Sequence, residues 1–335
     1  MSSPLIVFAA EEFDDHRTPE WHPENRHRLD AALLAIGEAD LADATEWHIP
    51  ELAPIADLAS IHDPAYLTKL EELCLAGGGH LDEDTVASPG SWITARRAAG
   101  AVLDAIDALR AGECDLAFAA GRPPGHHAVP AGAMGFCLFN NAAVGAARLS
   151  AAGEKVVIVD WDVHHGNGTQ DIFYDDPNVL YISTHESPLY PFTGLTQEQG
   201  VGDAFGTTMN LPFPAGTAGD TFRAAFDEVI VPTIERFQPD WMLISAGFDA
   251  HRSEPLASLD LTSADYADLA LRLQPLVPPQ RLVVVLEGGY DMKALTYSTG
   301  ATLSALLGGS YRPEEISTGT IGRSMVAAAQ MVWDL

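Results

Sequence analysis

The stretch Val156-Val157-Ile158-Val159-Asp160-Trp161-Asp162-Val163-His164-His165-Gly166-Asn167-Gly168 runs four β-branched apolar residues into two acids, two histidines and a glycine turn. A continuous apolar run bounded by turn residues reads as a strand buried on both faces. Side chains alternate along an extended chain, so Asp160, Asp162 and His164 are expected on one side of its carboxyl end. Carboxylate and imidazole are ordinary ligands for zinc and for neighbours such as iron(II) or manganese. A single Asp or His at such a place would more simply cap the next turn. The clustering of all three is what points to a metal.

The same pattern recurs. Leu116-Ala117-Phe118-Ala119 leads into Gly121-Arg122-Pro123-Pro124-Gly125-His126-His127, Trp241-Met242-Leu243-Ile244-Ser245 into Ala246-Gly247-Phe248-Asp249, and Leu282-Val283-Val284-Val285-Leu286 into Glu287-Gly288-Gly289-Tyr290. Helical periodicity separates several of these runs, over 140–149, 218–237 and 263–276. Further helices are expected over 24–36 and 88–109, and a partly helical stretch around 325–332. Strand alternating with helix predicts an α/β fold: one domain over 1–335, three layers, a mostly parallel central sheet and helices on both faces. Ligands bind such sheets at the carboxyl ends of the strands. The four polar loops are therefore expected to converge on one rim.

Taken together, these loops can do chemistry. Asp162, His164 and Asp249 can supply three ligands to a divalent metal, leaving a position open for water or substrate. Of the adjacent pair His126 and His127, one can serve as general base toward the attacking water and the other as acid or electrostatic partner. Asp160 is placed to orient one of them, fixing its tautomer and raising its basicity. The Tyr290 hydroxyl could donate to an oxyanion opposite the metal; alone, it would be read as a packing aromatic. Gly135-Phe136 and Leu189-Tyr190-Pro191-Phe192 could line a narrow channel for a slender chain, and the residues alone do not decide between lining and ordinary loop packing. In the acidic run Asp82-Glu83-Asp84, normally a solvated face, Asp84 is the candidate for a site rim. His16, His22 and His27 lie without evident partners and read as surface or packing residues.

At this point the chain resembles the histone deacetylase superfamily, on the arginase-like α/β fold. The motifs are Arg122-Pro123-Pro124-Gly125-His126-His127, Gly135-Phe136-Cys137-Leu138-Phe139-Asn140-Asn141, the opening stretch from Asp160 to Gly168, Ala246-Gly247-Phe248-Asp249 and Glu287-Gly288-Gly289-Tyr290. Asn167, with the Arg-Pro-Pro-Gly and Ala-Gly-Phe-Asp motifs, looks like the class II branch and its bacterial relatives, which include acetylpolyamine amidohydrolases. The resemblance implies that Asp162, His164 and Asp249 bind zinc, that His126 pairs with Asp160, and that His127, beside Asn167, is the general base. It implies that Tyr290 polarises the acetyl carbonyl. Pro124, Gly135, Phe136 and Tyr190 fall on the substrate tunnel, and Asp84 and Leu256 on the rim; Tyr190 stands where Phe is usual. Asp160, Asp162, His164, Ser183 and Thr184 match the ligands of a structural potassium ion, some through backbone oxygen. Class I relatives usually carry Asp where Asn167 stands, and a neutral amide stabilises the His127 imidazolium less.

The implied activity is removal of acetyl groups from lysine ε-amines in proteins or peptides, with zinc, or alternatively iron(II), as cofactor. A second reading is deacetylation of small amines such as acetylpolyamines. Leu256 stands where one polyamine-selective group carries Glu, which weakens that reading, and Glu254 nearby could compensate. A third reading, an acyl-lysine binding module without turnover, would require loss of a metal ligand or of Tyr290, and all are present.

Composition bounds the partners. The 335 residues carry 18 basic and 47 acidic side chains, a net charge of -29. Phosphate contacts need the opposite sign, so direct nucleic-acid binding is not expected. An acidic surface suits cationic partners, although solubility explains it equally well. Cys74, Cys114 and Cys137 are too few and too scattered for a disulfide framework, which fits a reducing compartment, and the cytoplasm is the expected location. No apolar run approaches the ~20 residues that span a bilayer. The run 4–10 reads as a first strand rather than a signal peptide. Oligomeric state is not legible, nor is a role for the segment after Arg312.

Overall fold

The computed structural model describes residues 3–334. Its strands are β1 (Ser3–Phe8), β2 (Thr45–His48), β3 (Gly79–His80), β4 (Val86–Ala87), β5 (Cys114–Ala119), β6 (Val156–Asp160), β7 (Val179–Glu186), β8 (Thr208–Phe213), β9 (Trp241–Ala246) and β10 (Leu282–Leu286). Eight of them form one sheet in the order β2-β1-β5-β10-β9-β6-β7-β8, and β3 and β4 form a small antiparallel pair. Every pairing in the large sheet is parallel. The central strands are the Val/Ile/Leu runs of the sequence, and β6, β9 and β10 are buried at every residue. That is the signature of a sheet covered on both faces.

Alternation along β6 builds the three layers. Val157 and Val159 enter one core, with Leu29, Ile36, Phe222, Leu269, Leu295 and Val326 from the helices on that face. Val156 and Ile158 enter the other, with Leu67, Leu70, Val102, Ile106 and Val144. Register then aligns the ends: Asp160 lies opposite Ser245 of β9 on one side and Ser183 of β7 on the other.

Three strands of the large sheet, β2, β7 and β8, go beyond the expected set. The edge strand β2 is the short, half-exposed Thr-Glu-Trp-His, with no apolar run to announce it. In β7 the polar Ser183, Thr184, His185 and Glu186 disguise a strand that is wholly buried. The helices lie close to expectation, with caps setting their boundaries. Asn25 accepts from the His27 amide and starts Arg26–Glu38, two residues after the periodicity begins. Thr262 and Asp265 form a capping box at the start of Ser263–Leu273. The stretch expected over 218–237 is helical throughout but widens into a π turn at Phe226–Ile230, just ahead of Pro232, which cannot donate a backbone hydrogen bond.

The segment after Arg312 has a structural task. Glu314 accepts from the backbone amide and hydroxyl of Ser263 and from His251 Nε2. Ser317 donates its hydroxyl to Asp265 Oδ2 at 2.7 Å. The segment thereby fastens the N-terminus of Ser263–Leu273, and Arg323–Trp333 packs beyond it. The His251 hydrogen bond leads the effects that hold the Glu314 carboxyl at about 2, below its ordinary 4.5. A depressed carboxyl stabilises the fold above its unfolded pKa and loses that stabilisation as pH falls through the folded one. Glu314→Ala is expected to cost about 1–3 kcal/mol at neutral pH, and the gap to the parent should narrow between pH 4.5 and 2. Denaturant midpoints at several pH values check this; a gap that does not change with pH would remove the charge from the explanation.

Candidate active site

The chain leaves the sheet at Asp160, and a turn rather than continued alternation arranges Asp162 and His164. Asp162 Oδ1 accepts from the His164 backbone amide at 2.9 Å, bringing the imidazole back over the carboxylate. Asp249, beyond β9, completes the group: Asp162, His164 and Asp249 each offer a ligand atom, all within 4.8 Å of one another. Asp160 stands one step back. It accepts from the Asp162 amide at 3.2 Å and the Tyr181 hydroxyl at 3.0 Å, and its Oδ2 lies 3.1 Å from His126 Nδ1.

The donor set fits a divalent cation. Asp162 and Asp249 are wholly buried. Val163 donates its amide to Asp249 Oδ1 at 2.8 Å, while Asp249 Oδ2 is buried, lies 3.3 Å from His164 Nδ1 and makes no well-formed hydrogen bond. His164 Nδ1 points between the carboxylates, 3.1 Å from Asp162 and 3.3 Å from Asp249. A buried carboxylate oxygen without a well-formed hydrogen bond is costly unless a cation meets it. Gly247 and Gly288 allow the close approach, since a Cβ at either would collide with Asp162 or Asp249. Gly288 instead donates its amide to Asp162 Oδ2 at 2.9 Å.

The histidine pair sits beside this group, with ring centroids 4.0 Å apart. Their electrostatics diverge. Burial opposes charge on both. At His126, Asp162, Asp160 and Glu287 outweigh burial and hold the imidazole well above its ordinary value. At His127, burial together with the positive neighbours His126 and His164 holds it well below. His127 Nδ1 is 2.8 Å from Asn167 Oδ1. Two like groups with their pKa values pushed apart can divide proton-transfer roles.

Aromatic rings surround the site. Tyr190 meets His127 edge-on at 5.2 Å, and Phe136 meets Tyr290 at 5.8 Å. Gly135 has φ +55, and a Cβ there would strike the His127 ring. Pro124 is buried in the turn leading to the histidines. Burial holds the Tyr290 hydroxyl well above its ordinary value, against the Arg28 guanidinium 4.7 Å from the ring centroid, so it stays a proton donor. Asp84 is tied to this wall: its carboxylate accepts from Thr85, whose hydroxyl oxygen accepts from the Phe136 amide. Leu256 is 38% exposed. Glu254, by contrast, is buried, and its carboxylate accepts from the Tyr290 and Leu256 amides, so it is not a free acid at an entrance. Ser183 Oγ lies 2.9 Å from His185 Nδ1, while the buried Thr184 hydroxyl has no partner.

A buried polar layer supporting the site has no counterpart in the expectations. Glu24 takes a two-pronged ion pair from Arg122 at 2.7 and 2.9 Å and a weaker contact from Arg28 at 3.4 Å. Arg28 also donates to the carbonyl oxygens of Gly289 and Glu287, in the turn that leads into Tyr290. Arg122 donates further to Phe13 and His16. Glu287 accepts from the Gly125 and His126 amides and so fixes the histidine loop. His16 and His22 are buried within or beside this layer, whereas His27 is on the surface. The available signal was the Glu24/Arg28 spacing at a helix start, but its partner Arg122 lies ninety-eight residues away.

Known proteins of similar sequence and fold identify the family. The histone deacetylase domain model matches residues 22–306. A probable deacetylase of Archaeoglobus fulgidus is 40% identical over 310 residues, covering 90% of this chain and 86% of that protein. The histone deacetylase-like amidohydrolase of Pseudomonas aeruginosa is 37% identical over 293 residues, covering 85% and 76%. The crystal structure of the HDA15 HD domain superposes with a TM-score of 0.92 at 35% identity, covering 99% of this chain and 94% of that one. The class is thus a hydrolase acting on amide bonds through a metal. Within it, the chain belongs to the histone deacetylase family and is a deacetylase.

The support layer makes a prediction about folding. Glu24→Ala would leave the Arg122 and Arg28 guanidiniums buried without their anion. Breaking a buried pair from one side costs about 3–5 kcal/mol. The denaturant midpoint should fall accordingly, and a shift under ~1 kcal/mol, the value of a surface pair, would contradict the assignment.

Proposed function

We propose that this chain removes acetyl groups from the ε-amine of lysine in proteins or peptides, as one catalytic domain spanning 1–335. The carrying observation is geometric: the adjacent rings of His126 and His127, one held by Asp160 and the other by Asn167, stand beside the Asp162, His164 and Asp249 group. Those three residues would hold zinc, with iron(II) the competing result of a metal analysis. A bound divalent cation supplies Lewis acidity, polarising a carbonyl and lowering the pKa of water to about 7. Potassium at Asp160, Asp162, His164, Ser183 and Thr184 is a structural proposal, supported by the register that sets Ser183 beside Asp160.

The protein's own groups then carry the reaction. Phe136 and Tyr190, with Pro124 and Gly135, hold a slender acyl-amine chain. His127, kept neutral and oriented by Asn167, takes a proton as water attacks the amide carbonyl. The Tyr290 hydroxyl donates to the developing oxyanion. The His127 imidazolium then returns its proton to the leaving amine, giving acetate and free amine. His126, held by Asp160 through Nδ1, is the electrostatic partner and leaves proton transfer to His127. The lysine reading is favoured over small acetylated amines by the apolar Leu256 and by Glu254, whose carboxylate is already occupied. Asp84 stands at the rim, where its acid suits a peptide backbone. Three buried free thiols fit a reducing cytoplasm.

Two measurements test this. Tyr290→Phe should lower kcat by roughly 10²–10³ with metal content unchanged; parental turnover would take Tyr290 out of the mechanism. The metal-loaded protein should hydrolyse an acetyl-lysine peptide with a higher kcat/KM than acetylputrescine or acetylspermidine, and a chelator should abolish both activities. Preference for the polyamines would overturn the lysine assignment and leave the chemistry intact.

A further inference from the structure

The amide of Asn167 has two chemically opposite ends, and only one orientation is useful to a base. With Oδ1 toward His127, that oxygen can only accept, so the proton sits on Nδ1 and Nε2 is left free to take another. With the amide reversed, its NH2 would donate to Nδ1 and force the proton onto Nε2. Something must therefore choose the orientation, and His127 alone cannot, because it satisfies either one by changing tautomer.

The other end of the amide meets Met134. Asn167 Nδ2 donates to Met134 Sδ at 3.3 Å. A thioether sulfur accepts weakly and never donates, so it matches the NH2 end and offers nothing to the oxygen. Asn167 is 8% exposed, so water competes little for the same atoms. Met134 is itself placed by the backbone: it and Cys137 exchange amide hydrogen bonds at 2.9 and 3.2 Å. The turn so closed carries Gly135 and Phe136, which border the site. Sulfur, amide and imidazole thus form one line from a pinned turn to the base.

We propose that Met134 is a positioning residue that sets the His127 tautomer by orienting the Asn167 amide. This rests on the reading of His127 as the base. Met134→Leu keeps the volume and removes the acceptor. In the zinc-loaded protein it should lower kcat about 3- to 10-fold, the scale of one modest hydrogen bond, with KM unchanged. Nitrogen-15 spectra, with the His127 signals identified by their loss in His127→Ala, should show Nδ1–H alone in the parent and a share of Nε2–H in Met134→Leu. In an Asn167→Asp background either carboxylate oxygen accepts from Nδ1–H, so adding Met134→Leu should not move the tautomer. An unchanged tautomer in Met134→Leu would overturn the proposal, as would the same kcat loss in both backgrounds. Parental turnover by His127→Ala would instead strike the reading of the base, and the spectra would still decide the role of Met134.

Discussion

Four carboxylates, Asp160, Asp162, Asp249 and Glu287, are wholly buried at the ends of three adjacent strands, β10, β9 and β6. Concentrated negative charge without water is the constraint around which this end of the molecule is arranged. Backbone amides of Gly125, His126, Asp162, Val163, His164 and Gly288 all point at these oxygens. Small residues let the loops close in far enough to donate them. The same carboxylates push the His126 imidazole above its ordinary value, and a cation would meet the remaining oxygens. The loops therefore take their shapes from the charge they must satisfy.

Much of this was legible in the chain because buried parallel strands and strand-end chemistry both leave local marks. The runs at 156–159, 241–244 and 282–286 are apolar without interruption, and the polar residues come directly after. Neighbouring elements that lack such marks escaped. In β7, polar side chains occupy a buried strand because they line the floor next to Asp160; β2 is an edge strand with two exposed positions in four. The expectation that simple alternation would align Asp160, Asp162 and His164 is corrected by the turn after Asp160, which puts Asp162 and His164 together and sets Asp160 behind them.

The least legible part is the layer beneath the site. Glu24, Arg28 and Arg122 come from a loop, a helix and a strand end that meet only in the fold, and each alone is an ordinary charged residue. Glu254 shows the same limit from the other side: its sequence position suggests an acid near an entrance, while the structure spends both of its oxygens on backbone amides. Burial, which the sequence does not print, decides between the two meanings of a carboxylate.

The strand order has a consequence for how the molecule comes into being. β5 does not pair with its successor β6 but with β10, and β10 pairs with β9 on its other edge. Until residues 282–286 emerge and dock, the sheet exists as two halves, β2-β1-β5 and β9-β6-β7-β8, each with a raw inner edge of unpaired amides and carbonyls. Such edges invite pairing with other chains. Arg28, which reaches across to the carbonyls of Glu287 and Gly289, likewise waits for that last strand. Closing the sheet therefore needs a late, long-range pairing, and until it forms both inner edges stay open.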